Sequence, residues 1–165
     1  MSATANMPSP RTAGLGASGI HVRLATEADA PALAAFNQAL ALETEGKHLP
    51  GEVILPGVRN LFARPEYGFY LAAETGGALV GTLMVTYEWS DWRNGVFFWV
   101  QSVYVLPEHR GKGAYRALYA AVKRIAAERG DCCGFRLYVE KENTRAQAVY
   151  ERLGMRQTHY LMYGE

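Results

Sequence analysis

The stretch from Val103 to Tyr119, VYVLPEHRGKGAYRALY, constrains this chain more than any other. A β-branched run stops at Pro107, two glycines alternate with Arg110, Lys112 and Arg116, and a helix-forming run follows at once. A strand must therefore end and a helix begin across a loop that carries three cations. The first N–H groups of a helix have no intrahelical partner, and the dipole there favours negative charge. The N–H groups of Gly111, Lys112, Gly113, Ala114 and Tyr115 can point into one concavity, which suits a phosphate or pyrophosphate. The glycines let the backbone approach the anion, and the basic side chains add charge at the rim. Two better-known phosphate loops are excluded, because neither GxxxxGK[ST] nor GxGxxG is present.

Around this junction the pattern alternates between the two regular periods. Ile20–Leu24 reads as a strand, and Thr26 with Asp29 as a helix start with Pro31 in the first turn. Ala32–Leu42 reads as a helix, broken by ETEGKHLPG. Val53–Phe62 reads as a second helix in spite of Pro56 and Gly57. Phe69–Glu74, Leu79–Trp89 and Val96–Val105 form a meander, with Gly76-Gly77 and Asn94-Gly95 as hairpin turns. Gly113–Arg129 is an amphipathic helix ended by Gly130. Phe135–Val139 is a strand, Thr144–Leu153 a helix closed by Gly154, and Met155–Tyr163 a last strand. An antiparallel meander followed by strands alternating with helices predicts an α/β fold on one sheet of mixed direction.

At 165 residues the chain is long enough for one domain with one core. Residues 1–18, rich in Ser, Ala, Gly and Pro, read as a disordered leader, and 19–165 as the folded domain. A net charge of +1 gives no field for nucleic acid or an anionic membrane, so electrostatic recognition has to be local. No apolar run reaches the ~18 residues of a membrane span, and the leader lacks a signal-peptide pattern, so the cytoplasm is the expected compartment. Cys132 and Cys133 are adjacent, which fits two thiols in a reducing environment better than a disulfide or a CxxC metal site. The four histidines are scattered without ligand spacing, and no metal is expected. A homodimer is compatible with these features.

Downstream lies LYVEKENTRAQAVYERLGM, residues 137–155. Asn143 stands at a strand-to-helix junction as an N-cap. Tyr150 follows two helical turns later, on the same face as Asn143 and Ala146. The pair VYVLPEHRGKGA and NTRAQAVYERLGM resembles the coenzyme A motif and the following helix of the GNAT superfamily of N-acetyltransferases. HVRLATEADAPAL resembles that family's opening, and the segments ETEGK, TYEWSDWRNG and QSVYV resemble one subgroup of it.

The resemblance implies a mostly antiparallel mixed sheet with a splayed strand pair, helices on both faces, and acetyl-CoA as co-substrate. It implies that the pantetheine arm pairs with the backbone of Val103, Tyr104 and Val105. The pyrophosphate would lie on Arg110, Gly111, Lys112, Gly113, Ala114 and Tyr115, and Asn143 would touch the pantetheine region. In one respect the chain departs from the pattern, because Tyr115 stands where the family has a small residue. Acetyl transfer to an amine needs a proton for the departing thiolate, and a phenol of pKa about 10 suits that task. Tyr150 is the implied acid. Glu88 is the first candidate base, acting through water. Glu43 and Glu45, in the break after the first long helix, are expected to attract a cationic acceptor, with Trp92 as an acceptor wall. The expected activity is direct acetyl transfer to a primary amine of a small molecule, peptide or protein. The alternative is a non-catalytic acyl-CoA-binding or sensor module, which would keep the loop without needing Tyr150.

Overall fold

The computed structural model describes residues 19–165, so the leader expected over 1–18 lies outside the described residues. The elements run β1 His21–Leu24, α1 Ala30–Glu45, α2 Gly51–Phe62, β2 Gly68–Thr75, β3 Ala78–Ser90 and β4 Gly95–Val105. They continue as α3 Ala114–Arg129, β5 Cys132–Leu137 and α4 Thr144–Arg152. The five strands lie in sequence order; every pairing is antiparallel except β4 with β5. This is an α/β fold with helices on both faces, as expected.

The faces follow from strand alternation. Leu71, Ala73, Leu83, Val85, Phe98 and Val100 pack against Leu118, Val122 and Ala126 of α3. The opposite face presents Tyr70 and Met84 to Ala30, Leu33 and Ala34 of α1 and to Val58 of α2. The two hairpins form where the turn residues allow positive φ. Gly76 and Gly77 both have it, and Asn94 has φ 44° at the end of the 91–93 turn.

Helix α1 is longer than its apolar periodicity indicated, continuing to Gly46, which closes it in the left-handed conformation. Helix α2 begins at Gly51 and accommodates Pro56. Strand β5 starts three residues earlier than expected and includes both cysteines, because Val96 pairs with Cys132. The last strand expected at Met155–Tyr163 does not form. Its apolar side chains, Tyr160, Leu161, Met162 and Tyr163, are exposed, and the run leaves the outer edge of β5 unpaired, so β-propensity alone does not dock it.

The entry to α1 is fixed by charge. Arg23 donates to both carboxylate oxygens of Asp29, at 2.8 and 2.9 Å, and the Thr26 N–H donates to Asp29 at 2.7 Å. The Arg23 hydrogen bonds hold the Asp29 carboxyl down at about 2. A depressed carboxyl pKa contributes stability that is complete above its unfolded value of about 4 and is lost as pH falls toward 2. Asp29→Asn is therefore expected to cost about 1–3 kcal/mol at neutral pH. It should also flatten the acid limb of a stability profile measured by urea unfolding.

Candidate active site

Strand β4 is paired along its length with β3 but with β5 only over Val96–Val100. Beyond the pair Val100–Leu137 the two strands part, and Gln101–Val105 faces a gap on that side. The departure is built into β4. Three steps from Gln101 to Tyr104 oppose two steps from Met84 to Thr82, which makes a bulge, and Ser102 sits at φ 48°. The gap opens into a groove of about 2670 Å³. That exceeds the ~300–1,000 Å³ of a single small-ligand site, so there is room for two reactants.

The basic glycine loop borders this groove. Gly111 has φ 74° and Gly113 has φ 91° as the N-cap of α3, and a Cβ at either would meet no atom within 4 Å. Glycine is thus required here by backbone conformation, with open space in front of it. Lys112 and Arg116 have no ion pair among the described residues. Arg110 is engaged differently from expectation. Its guanidinium takes both oxygens of Glu43, at 2.5 and 2.7 Å, and its Nε donates to the Val105 carbonyl at 2.8 Å. These bonds hold the Glu43 carboxyl below its usual range. The pair ties the last turn of α1 to the glycine loop.

Tyr115 accounts for its own departure from the small-residue pattern. Its side chain turns into the protein, stacked with Tyr119 at 6.0 Å and edge-on to Tyr150 at 5.5 Å. Burial raises its phenol pKa, and its hydroxyl is buried with no hydrogen-bond partner. A buried unpaired hydroxyl costs free energy. Tyr115→Phe is therefore expected to match or exceed the parent in stability, whereas Tyr115→Ala should lose about 3 kcal/mol in thermal or denaturant unfolding.

Helix α4 forms the other bank. The Asn143 side chain accepts from the Ala146 N–H at 3.0 Å, as an N-cap does, and Gln147 Nε2 donates to the carbonyls of Glu140 and Lys141. Tyr150, Asn143, Tyr115 and Arg110 all line the groove, together with Val103, Tyr104 and Val105. Burial raises the Tyr150 phenol above its ordinary value.

The acidic residues stand elsewhere in the charge pattern than expected. Glu43 is paired with Arg110, and Glu45 with Lys47 at 2.5 Å. Glu88 accepts from Trp99 Nε1 and, at 2.8 Å, from Arg136. Neither Glu88 nor Trp92 lines the groove, and Trp92 is 87% exposed on the 91–93 turn. Each acid singled out for a cationic acceptor is thus bound to a basic side chain. Sequence reading also passed over Arg136. Strand alternation would have set it beside Trp99, its register partner, on the face away from α3.

A five-stranded sheet opened at its single parallel pair, with helices on both faces, is the GNAT fold. Residues 33–155 match the family model described as Acetyltransferase (GNAT) family, and the chain belongs to that family. The family's enzymes use acetyl-CoA. The chain is 33% identical to a thialysine N-epsilon-acetyltransferase of Sus scrofa over 49% of its length, and that match spans 46% of the pig protein. It thus aligns with about half the length of this curated relative. A possible acetyltransferase from Clostridium difficile 630 superposes with TM-score 0.82 at 44% identity, covering 88% of this chain and 96% of that one. A predicted acetyltransferase from Clostridium acetobutylicum, solved with acetyl-CoA, shares the fold with TM-score 0.72 at 18% identity, covering 88% and 96% of the two chains. Among the described residues no helix is long and apolar enough to cross a membrane, and no three His, Cys, Asp or Glu side chains form a metal-binding group.

Proposed function

We propose that this chain transfers the acetyl group of acetyl-CoA to a primary amine by direct attack in a ternary complex. The observation that carries this reading is the gap between β4 and β5 running toward a left-handed glycine at the start of α3. The pantetheine arm lies in that gap along Val103–Val105, as an added strand whose amides pair with backbone. The pyrophosphate rests on the N–H groups from Gly111 to Tyr115, with Lys112 and Arg116 at the rim, and Asn143 faces the arm from α4. Adjacent free thiols at Cys132 and Cys133 suit the reducing cytoplasm, where acetyl-CoA is made.

In the reaction the amine nitrogen bonds to the thioester carbonyl carbon, the C–S bond breaks, and the sulfur leaves as a thiolate. Tyr150, kept protonated by its burial, gives that thiolate its proton and recovers one from solvent. The ammonium proton passes to water in the open groove. Glu88, bound by Trp99 and Arg136, orients those two side chains, and this takes the place of the base role expected of it.

Thiol release from acetyl-CoA over a panel of primary amines tests the reading. Amine-dependent release is expected. Tight acetyl-CoA binding with no release on any amine would leave the non-catalytic binding module instead.

A further inference from the structure

On the sheet face away from α3, at the point where β4 and β5 part, four side chains form one wall. Trp99 stacks on Tyr138 with ring centroids 4.3 Å apart. The Arg136 guanidinium carbon sits over Phe97, 3.7 Å from the ring centroid, and 5.7 Å from that of Trp99. The position of Phe97 depends on Gly134, where a Cβ would come within 2.7 Å of the Phe97 ring. All four side chains line the groove. The guanidinium of Arg136 has five N–H donors, and its one hydrogen bond among the described residues uses Nη1 to Glu88. Four N–H groups remain, three of them on the Nε and Nη2 edge, beside the aromatic rings. A planar guanidinium edge with two donor nitrogens free is built for a carboxylate. Arg93, 5.1 Å from the Phe97 ring centroid and without an ion pair among the described residues, adds a second cation to the same group. Glu43, Glu45 and Glu88 are each occupied by a basic partner, and the acids of the groove without an ion pair among the described residues, Glu140, Glu142 and Glu151, belong to the α4 bank.

We infer that the wall of Arg136, Trp99 and Tyr138 receives a carboxylate of the acceptor. The acceptor is then an amino-acid-like molecule, with an amine at one end of a short chain and a carboxylate at the other. The inference rests on the acetyltransferase reading and adds the substrate class. Arg136 pairs with Trp99 one register step before the strands part. Along the backbone the opening is thus one or two strand steps of about 3.3 Å away. An amine and a carboxylate separated by a short aliphatic chain span that distance. Trp99 and Tyr138 supply a flat apolar surface for the chain between them.

The test compares matched acceptors in the acetyl-CoA thiol-release assay. L-Lysine, L-ornithine and thialysine are set against their decarboxylated counterparts cadaverine, putrescine and bis(2-aminoethyl) sulfide. The amino acids are expected to exceed the diamines by at least about tenfold in kcat/KM, the size of one good charge-assisted contact. Arg136→Gln should erase that advantage by raising KM for the amino acids at least about fivefold more than for the diamines. Arg136→Lys, which keeps the charge and the stem but loses the fork, should recover part of it. Diamines used as well as or better than the amino acids would overturn the inference and leave the acetyltransferase reading standing. Equal losses on both classes in Arg136→Gln, with the fold intact by circular dichroism, would also overturn it. No thiol release with either class, while other primary amines of the panel are acetylated, would overturn the inference alone; no release on any amine would overturn both readings.

Discussion

Tyr150→Phe is expected to lower kcat by about 10²–10⁴-fold, the usual loss when a general acid is removed. Only the hydroxyl is deleted, so the ring keeps its edge-on contact with Tyr115 and α4 keeps its Asn143 cap. Acetyl-CoA affinity by calorimetry should stay within about twofold, because the proton is needed in the transition state and not in the ground-state complex. The loss should shrink with an acyl donor whose leaving thiol is more acidic, such as an aryl thioester of the same acyl group. A Tyr150→Phe enzyme with the parental kcat, under conditions where chemistry limits turnover, would mean that water protonates the thiolate. Tyr150 would then be a packing residue between α3 and α4.

Gly113→Asp is expected to weaken acetyl-CoA binding by about ten- to a hundredfold. Two like charges about 4 Å apart cost roughly 1–4 kcal/mol at effective dielectric constants of water to protein surface, and each 1.4 kcal/mol is tenfold. The position has positive φ with open space in front, so a new side chain meets strain in the backbone but no clash. Gly113→Asn provides the control: asparagine tolerates the left-handed region and is nearly the same shape, but carries no charge. Aspartate and asparagine variants that bind acetyl-CoA equally would remove the pyrophosphate from the α3 N-terminus. The Asp-to-Asn difference should also narrow as salt is added.

Much of the architecture is legible in the sequence, for reasons that are local. Gly76, Gly77 and Asn94 carry the positive φ angles that turn one strand back on the next, so the turns of the meander are marked by two short signals. The glycine loop and Asn143 are legible because each helix start needs its own chemistry within a few residues. The charge pattern is not local. Glu43 and Arg110 are 67 positions apart and meet only because α1 ends beside the loop that follows β4. Glu88 and Arg136 are 48 positions apart and meet across β3, β4 and β5. A sequence shows such acids without their partners, so Glu43 and Glu88 read as free ones, whereas Glu45 meets a cation only two positions on, at Lys47. The tail from Met155 shows the converse. Its composition favours a strand, yet the run stays off the open outer edge of β5, and composition does not describe which edge a run will join.

The opening between β4 and β5 is bordered by main chain, whereas the wall beside it is made of side chains. A substitution at Val103 or Val105 that keeps the packing against the core retains the same peptide groups along the opening. A single change at Trp99, Arg136, Tyr138 or Gly134 remodels the wall. In a lineage under selection, the part that holds the donor therefore accepts mutation with little loss. On the proposed reading the wall chooses the acceptor, and its preference changes with single substitutions. Copies of this gene can diverge in what they acetylate while continuing to draw on the same acyl donor.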